Sequence, residues 1–94
     1  MQTLTADAAA RLAGLAAQHG LPEDAARHLL LALAQGNGSQ AQFNHPALGG
    51  MGQWQPGMIM LGDMFNSGLK AQVEGLCLAL AGLLRQGGVF QPTP

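Results

Sequence analysis

Sulfur and aromatic side chains are concentrated in one stretch, residues 41–65, with the sequence AQFNHPALGGMGQWQPGMIMLGDMF. It contains four of the five methionines, the single tryptophan and two of the three phenylalanines, and no lysine or arginine. Thioethers are soft ligands that suit Cu(I), and the face of an indole attracts a cation. Methionine and aromatic residues are also typical of cores and of interface centres. The stretch therefore has three interpretations: a soft-metal or small-ligand site, a core, or a surface that binds another copy of the chain.

The order of the potential metal ligands resembles that in a small periplasmic copper and silver chaperone. His45, Trp54, Met58 and Met60 follow one another here as they do there, over sixteen positions. The resemblance implies a Cu(I) site in which His45, Met58 and Met60 bind the ion and Trp54 lies over it.

The turn at 56–57 bears on this ligand set. A two- or four-residue loop would place Trp54 opposite Ile59, and Met58 and Met60 would then point to the other side of the hairpin. Only a three-residue loop would put Trp54 beside Met60. Because a Pro-Gly type II turn splays the strands when it forms a two-residue loop, we expect a loop of three or four residues. Metal binding is the alternative hypothesis.

Catalytic chemistry finds little support in the sequence. Cys77 lies in the middle of an apolar helical stripe, where cysteines are usually inert. The histidines are scattered at positions 19, 28 and 45, and Asp63 and Glu74 are too far apart on one predicted helix to act as a pair. The glycines at 49, 50 and 52 lack the following lysine and hydroxyl residue of a phosphate-binding loop. We expect no enzyme activity, no catalytic residue and no cofactor.

The chain is short and poor in charge. Its 94 residues are expected to form a single domain, 1–94, and 48% of them are apolar and only 10% charged; soluble domains carry about 25% charged residues. So little charge cannot cover a small sphere, and apolar surface is therefore expected to meet another chain. Because most soluble oligomers are homo-oligomers, we predict a self-assembling structural or scaffold protein that forms a defined homo-oligomer.

The charge pattern argues against nucleic acid and membrane partners. The net charge is −1 and there is no basic stripe. The first helices match helix-turn-helix spacing, but the second would present Glu23 and Asp24 to the phosphates. No window of about 18 uncharged apolar residues predicts a transmembrane helix. One cysteine fits a reducing compartment, and no signal peptide is recognisable, so we expect a cytoplasmic protein.

The elements that would position these residues form an α+β domain. Residues 1–36 predict a helical hairpin, with Thr3 or Thr5 as N-cap and Gly20 as the stop between its helices. Residues 39–62 predict a short antiparallel β-hairpin or small sheet. Residues 63–86 predict a long helix capped by Asp63, and residues 87–94 a loose tail.

Glycines recur every seven residues along the long helix, at positions 68, 75 and 82. Each glycine inside a helix costs about 1 kcal/mol relative to alanine, so a packing reason is expected. Such a line would let another backbone approach closely, from the same chain or from a second copy. The predicted oligomer interface combines this line with the apolar residues of the 41–65 stretch: Phe43, Met51, Trp54, Met58, Met60, Gly68, Leu69, Gly75, Leu76, Gly82 and Leu83.

The segment AQFNHPALGGMGQW, with GDMFN and LKAQVEGLC after it, resembles a group of small bacterial SHOCT-like (short C-terminal domain) proteins of unknown function. The resemblance covers about residues 10–85. It implies a helical hairpin before the segment and a closing helix after it, with no established activity, cofactor or catalytic residue. It also implies a role in oligomerisation or in bringing larger proteins together.

Overall fold

The computed structural model describes residues 3–91, and the fold is α+β, as predicted. Two helices come first, a three-stranded antiparallel sheet follows, and a long helix closes the domain. In chain order the elements are α1 (Ala6–Gln18), α2 (Glu23–Gln35), β1 (Ala41–His45), a 3-10 turn (Pro46–Leu48), β2 (Gly50–Gln55), β3 (Met58–Leu61) and α3 (Ser67–Gln86).

The N-terminal hairpin has the caps that its sequence predicts. The Thr5 hydroxyl accepts a hydrogen bond from the Ala8 N–H and begins α1. Gly20 follows the end of α1 with a φ of 69°, a left-handed conformation that glycine adopts without strain. Pro22 then precedes α2, whose first turn carries Glu23 and Asp24 at the positive end of the helix dipole.

The sheet has the order β1-β2-β3, and its second turn differs from the expectation. Gln55 pairs with Met58, so Pro56 and Gly57 form a two-residue loop rather than one of three or four residues. Gly57 has a φ of 84°, which a type II Pro-Gly turn requires. Since β3 is only four residues long, we attribute its tolerance of this splaying turn to its shortness.

The long helix begins at Ser67, and the expected start at Asp63 is wrong. The Asp63 N–H donates to the Gly49 carbonyl at 3.2 Å, which holds this residue at the end of the sheet. The chain must leave the sheet before it can coil, and Asn66 is the N-cap, its side chain accepting from the Leu69 N–H. Residues 63–66 are therefore a connector.

The core lies between the three helices and one face of the sheet. Leu12 of α1, Leu29 and Leu33 of α2, and Leu76 and Leu80 of α3 are fully buried in it. By length and apolar composition alone α3 would also be able to cross a membrane, a property that core helices of soluble proteins share.

The C-terminal segment is packed as far as Gln91, contrary to the expected loose tail. The Thr5 N–H donates to the Val89 carbonyl at 2.9 Å, and the Gln91 N–H donates to the Thr3 carbonyl at 2.7 Å. Val89 is buried, and Phe90 forms an antiparallel bridge with Leu4. These bonds give the extended segment the backbone partners that it lacks locally. Residues 92–94 of the predicted tail lie outside the described residues.

Candidate functional site

One face of the sheet carries methionine and amide side chains. Cross-strand partners share a face, and the register pairs Gln42 with Gln53, Gln53 with Met60, Asn44 with Met51, and Gln55 with Met58. All of these residues are exposed. We call them the Gln–Met face: Gln42, Asn44, Met51, Gln53, Gln55, Met58 and Met60.

Two apolar side chains of the segment that follows β3 are also exposed. Met64, in the connector before α3, lines a shallow concavity of about 470 Å³ together with Met51 and Met60. Met51 is 71% exposed and Met64 61% exposed. The neighbouring Phe65 is 96% exposed, so a complete aromatic ring is in water. Soluble monomers rarely leave such side chains exposed together, and the surface is therefore the main candidate for a partner.

The Gln–Met face itself has no charged residue, and the exposed Asp63 precedes Met64 in the chain. No Asp, Glu, Lys or Arg occurs between Arg27 and Asp63 in the chain. The polar groups of the face are amides, which both donate and accept hydrogen bonds. The Gln53 side chain approaches the Met60 sulfur at 4.0 Å, which is the weak kind of contact that a thioether makes. Two such surfaces can therefore meet without like-charge repulsion.

The opposite face of the sheet belongs to the core. Trp54 is 2% exposed and pairs with Ile59. As expected for a two-residue loop, Met58 and Met60 therefore point to the other side of the hairpin. Phe43 covers Gly52: a Cβ at that glycine would lie 2.7 Å from the phenyl ring. Glycine is therefore required at position 52 for this ring to pack on the sheet.

The alternative metal ligands are not brought together. Met58 and Met60 are on the Gln–Met face, whereas Trp54 and His45 alternate to the other side. His45 is bound to α2 through Asp24 at 3.0 Å. Among residues 3–91 no group of three His, Cys, Asp or Glu side chains could hold a metal ion.

Three polar side chains meet where α2 passes the end of β1. The His45 Nε2–H donates to Asp24, and its Nδ1 accepts the Ala47 N–H at 3.1 Å. This hydrogen bond from His45 lowers the pKa of the Asp24 carboxyl. His28 stands 5.7 Å from His45, ring centre to ring centre, and its Nε2 accepts the Asn44 N–H. The acceptor nitrogen of each imidazole is hydrogen-bonded to a backbone N–H, so neither histidine is free to act as a general base.

Cys77 and the neighbouring apolar positions of α3 are in the core. Burial raises the pKa of the Cys77 thiol to about 12, and the nearby Glu74 carboxylate adds to this shift. A thiol that stays protonated is a poor nucleophile. Leu76 and Leu83, which the sequence analysis placed in the oligomer interface, are also buried within the chain, as are Phe43 and Trp54.

The three glycines at heptad spacing in α3 have different surroundings. At Gly75 an added Cβ would lie 3.0 Å from the His19 imidazole, so the space left by this glycine is filled from within the chain. At Gly82 the nearest atom is 3.8 Å away, on the Arg85 side chain, and Gly68 is exposed. Leu69 is half-buried against the core. The residues of the predicted interface that remain accessible are Met51, Met58, Met60, Gly68 and, in part, Leu69, Gly75 and Gly82.

The two edges of the sheet differ. The Gly62 N–H donates to the Met51 carbonyl at 2.7 Å, and ladder bonds alternate along an antiparallel pair. The bonded pairs are therefore 53–60 and 55–58, so Ile59 and Leu61 direct their N–H and C=O groups away from β2. By the same alternation Asn44 points outward from β1, where His28 accepts its N–H. Within residues 3–91, no hydrogen bond outside the ladder involves the backbone of Ile59 or Leu61.

Sequence reasoning missed several residues of this surface. Met64 and Phe65 were assigned to the long helix, although Asn66 is as good an N-cap residue as Asp63. The outward backbone groups of Ile59 and Leu61 depend on the turn length, which the sequence analysis misjudged. The contact of His28 with β1 had no signal in the sequence, because it joins residues 16 positions apart.

Comparisons of the chain with protein-family profiles, curated proteins and solved structures found no match. The resemblance to SHOCT-like proteins therefore stays a prediction.

Proposed function

We propose that this protein is a self-assembling structural or scaffold module, without catalytic activity, whose copies associate through the Gln–Met face and the adjoining Met64 and Phe65. The observation that carries the proposal is the exposure of Met51, Met60 and Met64 around one concavity whose lining has no charged residue, with the exposed Phe65 next to Met64 in the chain. Burying such side chains stabilises by roughly 1.5–3 kcal/mol each, which is a strong drive toward association for a small domain.

A second copy is the partner that best fits the chemistry of this surface. The Gln–Met face has no charged residue, so it would not attract an oppositely charged partner. Its amides are self-complementary, since each carries donors and an acceptor that can pair with the same group on another copy. Methionine is flexible enough to fill an interface between identical surfaces. The proposal includes a cytoplasmic location, as the sequence analysis expected, and a membrane or nucleic acid is not a proposed partner.

Enzyme function is not proposed because the candidate groups are committed elsewhere. The Cys77 thiol is buried and protonated, and the acceptor nitrogens of His28 and His45 are occupied by backbone N–H groups. The Cu(I) alternative is not proposed either, because His45 lies on the other side of the sheet from Met58 and Met60.

Native mass by light scattering on a size-exclusion column tests the proposal. We expect a defined oligomer that Met51→Glu dissociates, because the new carboxylate would be buried against its own copy. Leu78→Glu is the matched control, since Leu78 is a similarly exposed apolar residue (55%) on α3. A wild-type monomer would contradict self-assembly. An oligomer lost only with Leu78→Glu would move the interface to α3.

A further inference from the structure

Two large apolar residues occupy the centre of a tight turn between β3 and α3. The Asn66 N–H donates to the Asp63 carbonyl at 3.2 Å, which closes a β-turn whose two central residues are Met64 and Phe65. Such positions usually carry proline, glycine or small polar residues, because these favour the turn. A thioether and a phenyl ring do not, and Phe65 is 96% exposed. Its ring therefore contributes little to the fold of its own chain.

The turn is held at both ends. The Asp63 N–H donates to the Gly49 carbonyl at 3.2 Å, and the Asp63 carboxylate accepts the Asn66 side-chain amide at 3.2 Å. The same Asn66 side chain accepts the Leu69 N–H at 3.1 Å. The backbone that carries Phe65 is thus tied to the sheet on one side and to α3 on the other. A side chain on such a backbone loses less conformational entropy on binding than one on a free loop.

A concavity of matching chemistry begins one residue away from Phe65. Met64 lines it together with Met51 and Met60, and we call it the methionine concavity. Its volume is about 470 Å³ and its lining has no charged residue. Because Phe65 is almost wholly in water, the ring does not fill the concavity of its own chain. Thioether sulfurs make favourable contacts with aromatic rings, so a phenyl ring is a suitable occupant.

We infer that Phe65 of one copy inserts into the methionine concavity of a second copy, and that Phe65 of the second copy fills the first concavity in return. This inference rests on the proposed self-assembly and names the contact that holds the copies together.

Two features of the chain favour a second copy over a foreign partner. A foreign peptide in the concavity would leave Phe65 in water, and a foreign pocket around Phe65 would leave the concavity empty. A second copy accounts for both features at once. The ring and the concavity are also neighbours, and a two-fold axis relates such a self-complementary patch to itself in a closed pair. A projection and a socket on distant surfaces would instead generate an open filament.

The area that these insertions bury approaches the area of a stable dimer. An aromatic side chain buries about 150–250 Å². Two inserted rings, with the similar area of concavity that they cover, therefore bury about 600–1,000 Å², and stable interfaces begin at about 1,200 Å². The exposed amides of Gln42 and Gln53 also line the concavity and add to this area. We therefore expect a closed dimer of moderate affinity.

Phe65→Ala tests the insertion, and it leaves the fold intact because the ring is exposed. We expect the Kd of the dimer, measured by analytical ultracentrifugation, to rise at least about tenfold, because a buried aromatic anchor carries much of the binding energy of an interface. Leu78→Ala is the matched control, since it removes an exposed apolar side chain (55%) from α3 and should leave the Kd unchanged. An unchanged Kd in Phe65→Ala would overturn the inference.

Mixing two variants tests the pairing of ring and concavity. Phe65→Ala lacks the ring and keeps the concavity, whereas Met51→Glu keeps the ring and places a carboxylate in the concavity. Neither homodimer retains an unaltered insertion, but the heterodimer retains one. We expect native mass spectrometry of an equimolar mixture to show the heterodimer in excess of the statistical proportion. A statistical mixture would overturn the inference.

The outcomes separate this inference from the proposed function. A wild-type oligomer that Phe65→Ala does not weaken would reject the insertion and leave self-assembly through the Gln–Met face standing. A wild-type monomer would reject both, and the methionine concavity would then belong to a foreign partner.

Discussion

The backbone N–H of Asn44 donates a 3.1 Å hydrogen bond to Nε2 of His28, which joins the outer edge of β1 to helix α2. An imidazole nitrogen that accepts a hydrogen bond is unprotonated, so the contact requires neutral His28. This bond ties the outer edge of the sheet at β1 to a helix of the same chain.

Removing His28 is expected to weaken the attachment of the sheet. His28→Ala should lower the free energy of unfolding by about 1 kcal/mol, the usual net value of one hydrogen bond. Urea unfolding of wild type and variant measures this. Arg27→Ala, at an exposed neighbouring position, is the control, and an unchanged free energy of unfolding in His28→Ala would contradict the role given to His28.

Trp54 is expected to contribute volume rather than a hydrogen bond. Trp54→Ala should cost about 3–5 kcal/mol, as for other buried aromatic residues. The indole N–H is buried and has no partner among the described residues. Trp54→Phe removes that unpaired donor, whose burial costs about 1–3 kcal/mol, and should therefore be much less destabilising than Trp54→Ala. Thermal unfolding compares them, and equal losses for the two variants would show that the N–H has a partner.

Two glycines of α3 should respond differently to alanine. Gly82→Ala puts a methyl group in ordinary contact with the Arg85 side chain, 3.8 Å away, and should stabilise by up to about 1 kcal/mol, the helix-propensity gain. Gly75→Ala puts a methyl group 3.0 Å from the His19 ring, so part of the same gain is lost in moving that ring. Chemical denaturation of both variants measures the difference. An equal gain at the two positions would mean that His19 does not pack on Gly75.

Cys77 should be unreactive until the protein opens. Only the thiolate is alkylated readily, and burial raises the pKa of this thiol from 9.0 to about 12. Iodoacetamide at pH 8 should modify the native protein far more slowly than the urea-unfolded protein. Above about pH 9 the unfolded chain loses the Cys77 proton, whereas the folded protein keeps it. The free energy of unfolding of the wild type should therefore fall as the pH rises from about 9. Cys77→Ala should show a weaker fall, and rapid alkylation of native protein would contradict the burial.

Cu(I) is expected to leave the tryptophan fluorescence unchanged at stoichiometric amounts. Trp54 faces the core, and Met58 and Met60 are on the opposite face of the sheet, so an ion on the thioethers would not lie over the indole. A fluorescence titration with Cu(I) tests this, with Met58→Leu and Met60→Leu as controls. Stoichiometric quenching that both leucine variants abolish would support the metal alternative.

Much of the local structure was predictable from short segments. The caps at Thr5 and Gly20, the boundaries of α1 and α2, and the antiparallel sheet in residues 39–62 depend on neighbouring residues. The errors have equally specific causes. Asp63 was a plausible cap, but its N–H is held by Gly49 across the sheet end. The segment 87–91 lacks local order signals, yet it pairs with residues near the N-terminus.

The sequence by itself determined most of the secondary structure, the shortage of charge and the concentration of methionine, because these follow from residue type and spacing. Only the tertiary structure decided which residues of 41–65 face water. The length of one turn put Met58 and Met60 on the face opposite to the buried Trp54, because a shift of one residue reverses every side chain of a strand. The packing of His19 on Gly75 and of His28 on Asn44 likewise required the folded chain, since both contacts join residues distant in sequence.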